Sequence, residues 1–540
     1  MQNTVSDAFR TTVGRYPDND FLEVLPETAA VYGIEPGRWT YRHALAEVDR
    51  LVEQYRSAGY GHGQRVGLLL LNRPEFLWHF LALNTLGLSV VPINAEFRYA
   101  ELEYLIGHSE IVLVVTVAGH EARLAAAAAA IGRALAIATV GDLALPESPY
   151  PPAVKTGEPS VDTECALLYT SGTTGRPKGC VLPNEYFLYA GEWYVQIGGL
   201  CDVRPGAERM LSPLPLTHMN ALAVSTSCMI VSGGCLILLD RFHPTTWWDS
   251  VRASRATIVH YLGVMPAMLI GAPASADDRS HAVRFGFGAG VNPRHHANFE
   301  TRFGFPLLEA WAMTETGSGA VVIANHEPRY VGSACFGRAE AAIECKIVDD
   351  EGRDVPPDTV GELWVRHAGS QPRFGFFREY LKDPMATAEA WADGWFHTGD
   401  LVRRDAEGYF RFVDRKKNII RRSGENISAV EVESVLVQHP GIRTVGVTAV
   451  PDDVRGDEVM AVVVLTASVE PNAAFAESLV AHALSKLAYY KAPGYVAFVD
   501  ALPLTPTEKI QRAGLRTLGG TLLNESRCHD MRALKKRQDS

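Results

Sequence analysis

Tyr169-Thr170-Ser171-Gly172-Thr173-Thr174-Gly175-Arg176-Pro177-Lys178-Gly179 is the strongest local signal in the sequence. An apolar run, Ala166 to Tyr169, leads into it, and a second, Cys180 to Leu182, leads out. The pattern reads as strand, loop, strand. Glycines let backbone approach a polyphosphate closely and turn its N–H groups inward. The hydroxyls of Thr170, Ser171, Thr173 and Thr174 add donors, and Lys178 adds a positive charge. The spacing is not that of a Walker A loop, which has four residues between its glycines and a Lys-Ser/Thr pair opening a helix. Here Gly-x-x-Gly-x-x-Lys has Pro177 before the lysine and Gly179 after it. A solvated Ser/Gly/Thr linker has a similar composition. The Pro-Lys-Gly ending between two apolar strands favours the phosphate loop.

Outward from this loop the pattern is α/β. Upstream, Arg65 to Leu71 reads as a buried strand, Glu75 to Gly87 as a helix, Val90 to Asn94 and Ile111 to Val117 as further strands, and Ala125 to Ala130 as helix. Glu147 to Asp162 is rich in proline and polar residues and reads as a surface linker. This order predicts parallel sheets with helices on their faces. Downstream, Ile343 to Val348, Gly361 to Val365 and Gly408 to Val413 predict a small antiparallel sheet or barrel. After Lys417 comes a compact αβ pattern: Val430 to Val437, Thr444 to Val450, Glu458 to Leu465, Ala473 to Leu487 and Val496 to Val499. The fold class expected is therefore α/β. A large N-terminal domain (1–414) holds two α/β subdomains plus a small antiparallel barrel, and a small mobile α+β C-terminal domain (415–540) follows. The polar, basic end, Glu525 to Ser540, reads as a frayed tail or a short surface helix.

Bulk properties narrow the class. The chain has 540 residues with 47% hydrophobic and 21% charged content, too long for one core and ordinary for a globular enzyme. A net charge of -11 argues against nucleic acid as a partner, because phosphate neutralisation needs a basic surface. The eight cysteines form no CxxC pair, which predicts reduced, mostly buried thiols and a cytoplasmic location. Met1 to Thr11 lacks an apolar core behind a basic start, so no signal peptide is expected. Ala221 to Leu239 carries no charge, but its Ser, Thr and Gly residues favour a buried helix, a glycine turn and a strand over a transmembrane segment.

Further motifs lie downstream in order: Gly286-Phe287-Gly288-Ala289-Gly290, Trp311-Ala312-Met313-Thr314-Glu315-Thr316-Gly317, Gly394-Trp395-Phe396-His397-Thr398-Gly399-Asp400, Asp414-Arg415-Lys416-Lys417-Asn418, Ser423-Gly424-Glu425-Asn426-Ile427, and Thr507-Glu508-Lys509-Ile510. A carboxylate near a phosphate loop suits Mg²⁺, which takes one or two carboxylates plus substrate phosphates. An ionised aspartate accepts well from paired hydroxyls. Each motif alone has a plain structural reading, as a turn, a surface pair or a solvated charge.

As an ordered set they resemble the adenylate-forming superfamily, specifically the acyl-CoA synthetases and, through the Thr-Pro-Thr-Glu-Lys ending, a fatty acid/carnitine-CoA ligase-like branch. The resemblance covers nearly the whole chain. It implies an AMP-forming acid–thiol ligase that uses ATP, Mg²⁺ and coenzyme A on a small carboxylic acid. Transfer to a carrier protein is the alternative activity. By the same resemblance Lys509 is the adenylation catalyst, Thr170 and Glu315 hold the metal, and His218 stands between acyl pocket and pantetheine path. Thr170, Ser171, Gly172, Thr173, Thr174 and Lys178 would bind the β- and γ-phosphates. Gly288, Ala289, Glu309, Ala310, Trp311 and Thr314 would meet adenine and α-phosphate, and Asp400 and Arg415 the ribose. Lys417 would be the hinge, with Gly424 and Glu425 facing coenzyme A. His218, Asn220, Gly288 and Ser318 would line the acyl pocket. Asn220 is polar where many relatives carry an apolar or aromatic residue, which hints at a short, polar or substituted acid. Ala312 and Glu508 stand where the family usually has glycine. A homodimer is left open.

Overall fold

In a computed structural model of the 540-residue chain, residues 2–142, 144–151, 157–170, 176–415, 419–467, 469–503 and 510–535 are described. The chain divides into two units. The first comprises Met1–Ala95, Ile106–Leu168 and Gly179–Val413; the second comprises Glu96–Leu105, Tyr169–Lys178 and Asp414–Ser540.

One sheet of the first unit runs, in spatial order, Val322–Ile323, Leu307–Trp311, Phe285–Ala289, Ile258–Leu262, Arg209–Ser212, Cys235–Leu238, Asp20–Val24 and Gly37–Thr40. From Leu307–Trp311 to Asp20–Val24 neighbouring strands are parallel. A second sheet holds the expected strands Arg65–Leu69, Ser89–Pro92 and Leu113–Thr116 and is extended by Glu164–Thr170 and Lys178–Pro183. A third, antiparallel sheet of Cys335–Gly337, Phe410–Arg415, Phe396–Arg404, Gly361–His367 and Ile343–Val348 is the curled half-barrel that the downstream strands predicted.

The uncharged stretch folds as the glycine turn dictates. A helix, Thr226–Ser232, stops at Gly233 in the left-handed region (φ 74°) and gives way to the buried strand Cys235–Leu238. Its first turns are wider than expected, a π-helical segment at Asn220–Ser225. No helix of the described residues is long and apolar enough to cross a membrane. Among the described residues the eight cysteines form no disulfide, and six of them are buried.

In the second unit the long strand Gly456–Leu465 pairs with Ile442–Asp452 and with Tyr495–Phe498. Val459, Ala461 and Val463 face one apolar cluster, and Met460, Val462 and Val464 face another. Period-two alternation thus covers both faces, as an α+β sandwich requires. The tail is not frayed as far as Lys535. His529–Asp530 adds a strand to Tyr495–Phe498, and Lys535 is buried against Glu458, which also takes both bonds from the Arg422 Nε–H. Composition hid this because a polar segment can be anchored by one buried ion pair.

His79, buried on the helix Pro74–Thr85, is hydrogen-bonded through Nδ1 to the Tyr55 hydroxyl at 2.7 Å. Burial pushes its pKa down to about 3 from 6.5. Below pH 6.5 the unfolded chain therefore binds a proton that the folded chain refuses, and stability falls as pH drops toward 3. His79→Leu should lower the melting temperature at pH 8, because the Tyr55 hydroxyl loses its partner at about 1–3 kcal/mol. The gap to wild type should then close on acidification, by about 1.4 kcal/mol per pH unit below 6.5. Parallel melting curves across that range would contradict this.

Candidate active site

The strand Leu307–Trp311 organises the site. It lies parallel to Phe285–Ala289 with Gly288 opposite Glu309. Glu309 and Trp311 are two residues apart and so leave the strand on the same side. Glu309 is buried. Its Oε2 accepts the Gly290 N–H at 2.9 Å, and its Oε1 accepts the Val291 N–H at 2.9 Å and the Tyr261 O–H at 3.1 Å. Burial raises its pKa, and the backbone donors oppose that rise. Two glycines are required at this turn. A Cβ on Gly288 would stand 2.2 Å from the Tyr261 carbonyl oxygen, and one on Gly263 would stand 1.7 Å from that of Gly290. The carboxylate of Glu309, expected among the nucleotide contacts, thus fastens the Gly288–Val291 turn from behind.

Trp311 donates its Nε1–H to Asp400 Oδ2 at 2.9 Å, and both residues are buried. Asp400 in turn donates its backbone N–H to Thr398 Oγ1 at 3.0 Å. Beyond the strand, the turn carrying Thr314 and Glu315 is closed by the Met313 N–H on Thr316 Oγ1 (3.0 Å) and the Gly317 N–H on the Met313 carbonyl (3.0 Å). Two tyrosines hold it from outside: Tyr186 donates to the Thr314 carbonyl (2.9 Å) and Tyr380 to Glu315 Oε1 (2.9 Å). Burial, and then the charge of Glu315, push the Tyr380 phenol well up, so it stays a donor.

His218 turns back on itself, its N–H donating to the Pro215 carbonyl at 3.0 Å. Asn220 opens the π-helical segment, and its Oδ1 lies 2.6 Å from Nδ1 of the fully buried His260. Ser318 is buried in the turn Gly317–Ala320, and its hydroxyl has no hydrogen-bond partner among the described residues. Thr170 ends the strand Glu164–Thr170, and Lys178 begins Lys178–Pro183. Arg415 ends Phe410–Arg415. In the second unit Gly424 adopts φ 87° beside Glu425, which opens the strand Glu425–Ser428. Ser171, Gly172, Thr173, Thr174, Lys417 and Lys509 lie outside the described residues. Among the described residues no group of three His, Cys, Asp or Glu side chains forms a metal cage.

The structure therefore joins Trp311 to Asp400, Gly288 to Glu309, and Asn220 to the sheet near Phe287. Sequence reasoning missed Tyr186, Tyr261, Gly263, His260 and Tyr380. None sits in a motif; each reaches the site through the fold from elsewhere in the chain.

A glycine turn and a Thr-Glu turn at the carboxyl ends of parallel strands, with a buried Trp–Asp pair beside them, define a nucleotide-dependent enzyme of α/β type. Residues 13–381 match the AMP-binding enzyme family, and residues 431–509 match the AMP-binding enzyme C-terminal domain. The chain belongs to the AMP-binding enzymes, the adenylate-forming superfamily, and within it to the acyl-CoA synthetases, which are AMP-forming acid–thiol ligases. It is 31% identical over 493 residues to a crotonobetaine/carnitine–CoA ligase of Shigella flexneri, covering 89% of this chain and 93% of that protein. It is 26% identical to a solved fatty acyl CoA synthetase of Mycobacterium tuberculosis, with a TM-score of 0.65 and coverage of 96% of this chain and 98% of that one. The amide bond synthetase McbA of Marinactinospora thermotolerans shares the fold, with a TM-score of 0.79 at 24% identity over 95% of this chain and 99% of that one.

Glu309→Gln replaces one acceptor oxygen with an NH₂ group that faces backbone N–H donors. The turn should lose about 1–3 kcal/mol, read as a lower melting temperature, and nucleotide should bind more weakly. An unchanged melting temperature would show that the carboxylate does not hold the turn.

Proposed function

We propose that this chain joins a small carboxylic acid to coenzyme A with a fixed division of labour among its residues. First, a carboxylate oxygen attacks the α-phosphorus of ATP, and the bond from that phosphorus to the bridging oxygen breaks, giving acyl-adenylate and pyrophosphate. Two anions must meet, so positive charge is needed where charge develops. Lys509 supplies it. The loop from Thr170 to Lys178 holds the departing phosphates. Gly288, Ala289, Ala310 and Trp311 take the adenine, Thr314 the α-phosphate, and Asp400 with Arg415 the ribose.

The carboxylate of Glu315 and the hydroxyl of Thr170 are hard oxygen donors of the kind Mg²⁺ prefers, with substrate phosphates completing its shell. When bound, the ion neutralises pyrophosphate charge. In the second half-reaction the coenzyme A sulfur attacks the acyl carbon, the bond from that carbon to the phosphate oxygen breaks, and AMP leaves. Gly424 and Glu425 face the incoming thiol arm, and His218 stands beside its path. Residues 415–540 form a mobile domain pivoting at Lys417, so that Lys509 serves the first step and the Gly424 face the second.

The observation that carries this reading is the Trp311–Asp400 hydrogen bond. It unites, across 89 residues of sequence, the residues assigned to adenine and to ribose. The carnitine–CoA ligase relatives support a small polar acid. Cysteines that form no disulfide among the described residues support a reducing, cytoplasmic setting.

Lys509→Ala should cut acid-dependent formation of the adenylate about a hundred- to a thousandfold, yet spare thioester formation from supplied acyl-adenylate and coenzyme A. Single-turnover assays of each half-reaction decide it. Equal loss in both steps would refute the division of labour.

A further inference from the structure

The connection that leaves the carboxyl end of Arg209–Ser212 leads into the π-helical segment that opens with Asn220. That strand is where the sheet order reverses: the next strand in sequence, Cys235–Leu238, lies on one side of it, and Ile258–Leu262 on the other. In open α/β sheets ligands bind outside the carboxyl ends of the strands at such a reversal. Asn220 and His260 meet across it. A π-helical turn inside a helix, as at Asn220–Ser225, is rare and is often found at functional sites.

The hydrogen bonds fix which end of the Asn220 amide faces inward. Tyr194 is fully buried, and its hydroxyl has one partner among the described residues, His260 Nε2, at 3.0 Å. A buried phenol must donate to something. Tyr194 therefore donates, Nε2 accepts, and the proton of the neutral imidazole sits on Nδ1. Burial keeps that ring neutral, with a pKa lowered to about 3. Ser225 Oγ lies 3.0 Å from Nδ1 but donates its own proton to the Asn220 carbonyl, also at 3.0 Å. Ser225 Oγ keeps lone pairs that can share the Nδ1–H, but the amide atom 2.6 Å from that N–H must be an acceptor, because an NH₂ group there would set donor against donor; it is therefore Oδ1. The reverse tautomer would strand the Tyr194 proton, at about 1–3 kcal/mol. His260 is in turn clamped against Phe287 (5.0 Å between ring centres), the residue before Gly288.

With Oδ1 held inward, the Asn220 NH₂ points away from the network. Asn220 is only half-buried, and its Nδ2 makes no hydrogen bond among the described residues. We propose that Asn220 sets acid selectivity by donating from Nδ2 to an acceptor oxygen on the acyl chain. The preferred acid then carries a hydroxyl, keto or second carboxyl oxygen near the carboxylate that reacts. His260, Tyr194 and Ser225 are positioning residues that keep the donor outward. The inference rests on the ligase reading above and narrows its substrate class.

The test compares AMP release, as kcat/KM, for a short straight-chain acid and its β-hydroxy, β-keto and ω-carboxy derivatives. Wild type should prefer substituted acids over the plain one. Asn220→Leu should reduce turnover of every substituted acid about ten- to a hundredfold more than that of the plain acid. Asn220→Asp still accepts from His260 but presents an oxygen outward. It should retain β-hydroxy acids, which can donate, and lose the β-keto and ω-carboxy acids, which cannot. That difference separates recognition from simple damage to the fold. A profile that both variants leave unchanged, or that drops uniformly for all acids, overturns the inference. Wild-type enzyme that releases AMP with none of the acids overturns the ligase reading itself, and this inference with it.

Discussion

A buried carboxylate with three donors upon it is the constraint on which the site depends. Glu309 cannot stay in an apolar interior unless its oxygens are occupied, and they are occupied by the Gly290 and Val291 N–H groups and the Tyr261 hydroxyl. Satisfying that charge pins a turn so tight that neither Gly263 nor Gly288 has room for a Cβ. The same strand then delivers Trp311 to Asp400 and ends in the Thr314–Glu315 turn. Removing the one charge would loosen everything that leaves the strand after it.

The neighbouring polar network works by similar logic at lower charge. Tyr194, His260, Ser225 and Asn220 pass one direction of hydrogen bonding toward the end of the sheet, and each buried group in the line is satisfied by the next. A neutral, fully occupied chain of this kind does not titrate near neutrality, so the orientation it imposes on Asn220 holds across physiological pH. Stability and selectivity thus share the same residues.

Much of this was legible in the sequence, where chemistry and spacing coincide. The Thr314–Glu315 turn and Asp400 stand in short motifs that the sequence singles out, and the strand and helix periods predict the sheets that carry them. The groups that hold those motifs in place were not legible. Tyr380 reaches Glu315 from 65 residues away and Tyr186 reaches Thr314 from 128, and nothing local marks either tyrosine. His260 reads as an ordinary strand residue until the register sets it beside Asn220. The basic tail does form a short exposed helical turn, Arg532–Leu534, but polarity alone predicts exposure throughout, whereas Lys535 is buried on Glu458. Glu309 adjoins the motif and reads from sequence as a nucleotide contact; what the sequence does not show is that its carboxylate binds the Gly290 and Val291 N–H groups and the Tyr261 hydroxyl.

The central claim is that a carboxylate, with no acceptor thiol present, is joined to AMP at this site. Acid-dependent exchange of labelled pyrophosphate into ATP tests it most directly, because exchange requires reversible acyl-adenylate formation and nothing later. The account predicts exchange that needs both a carboxylic acid and Mg²⁺, proceeds without coenzyme A, and falls about a hundred- to a thousandfold in Lys509→Ala. Exchange that is absent with every acid, or that is equally fast with no acid added, would contradict it.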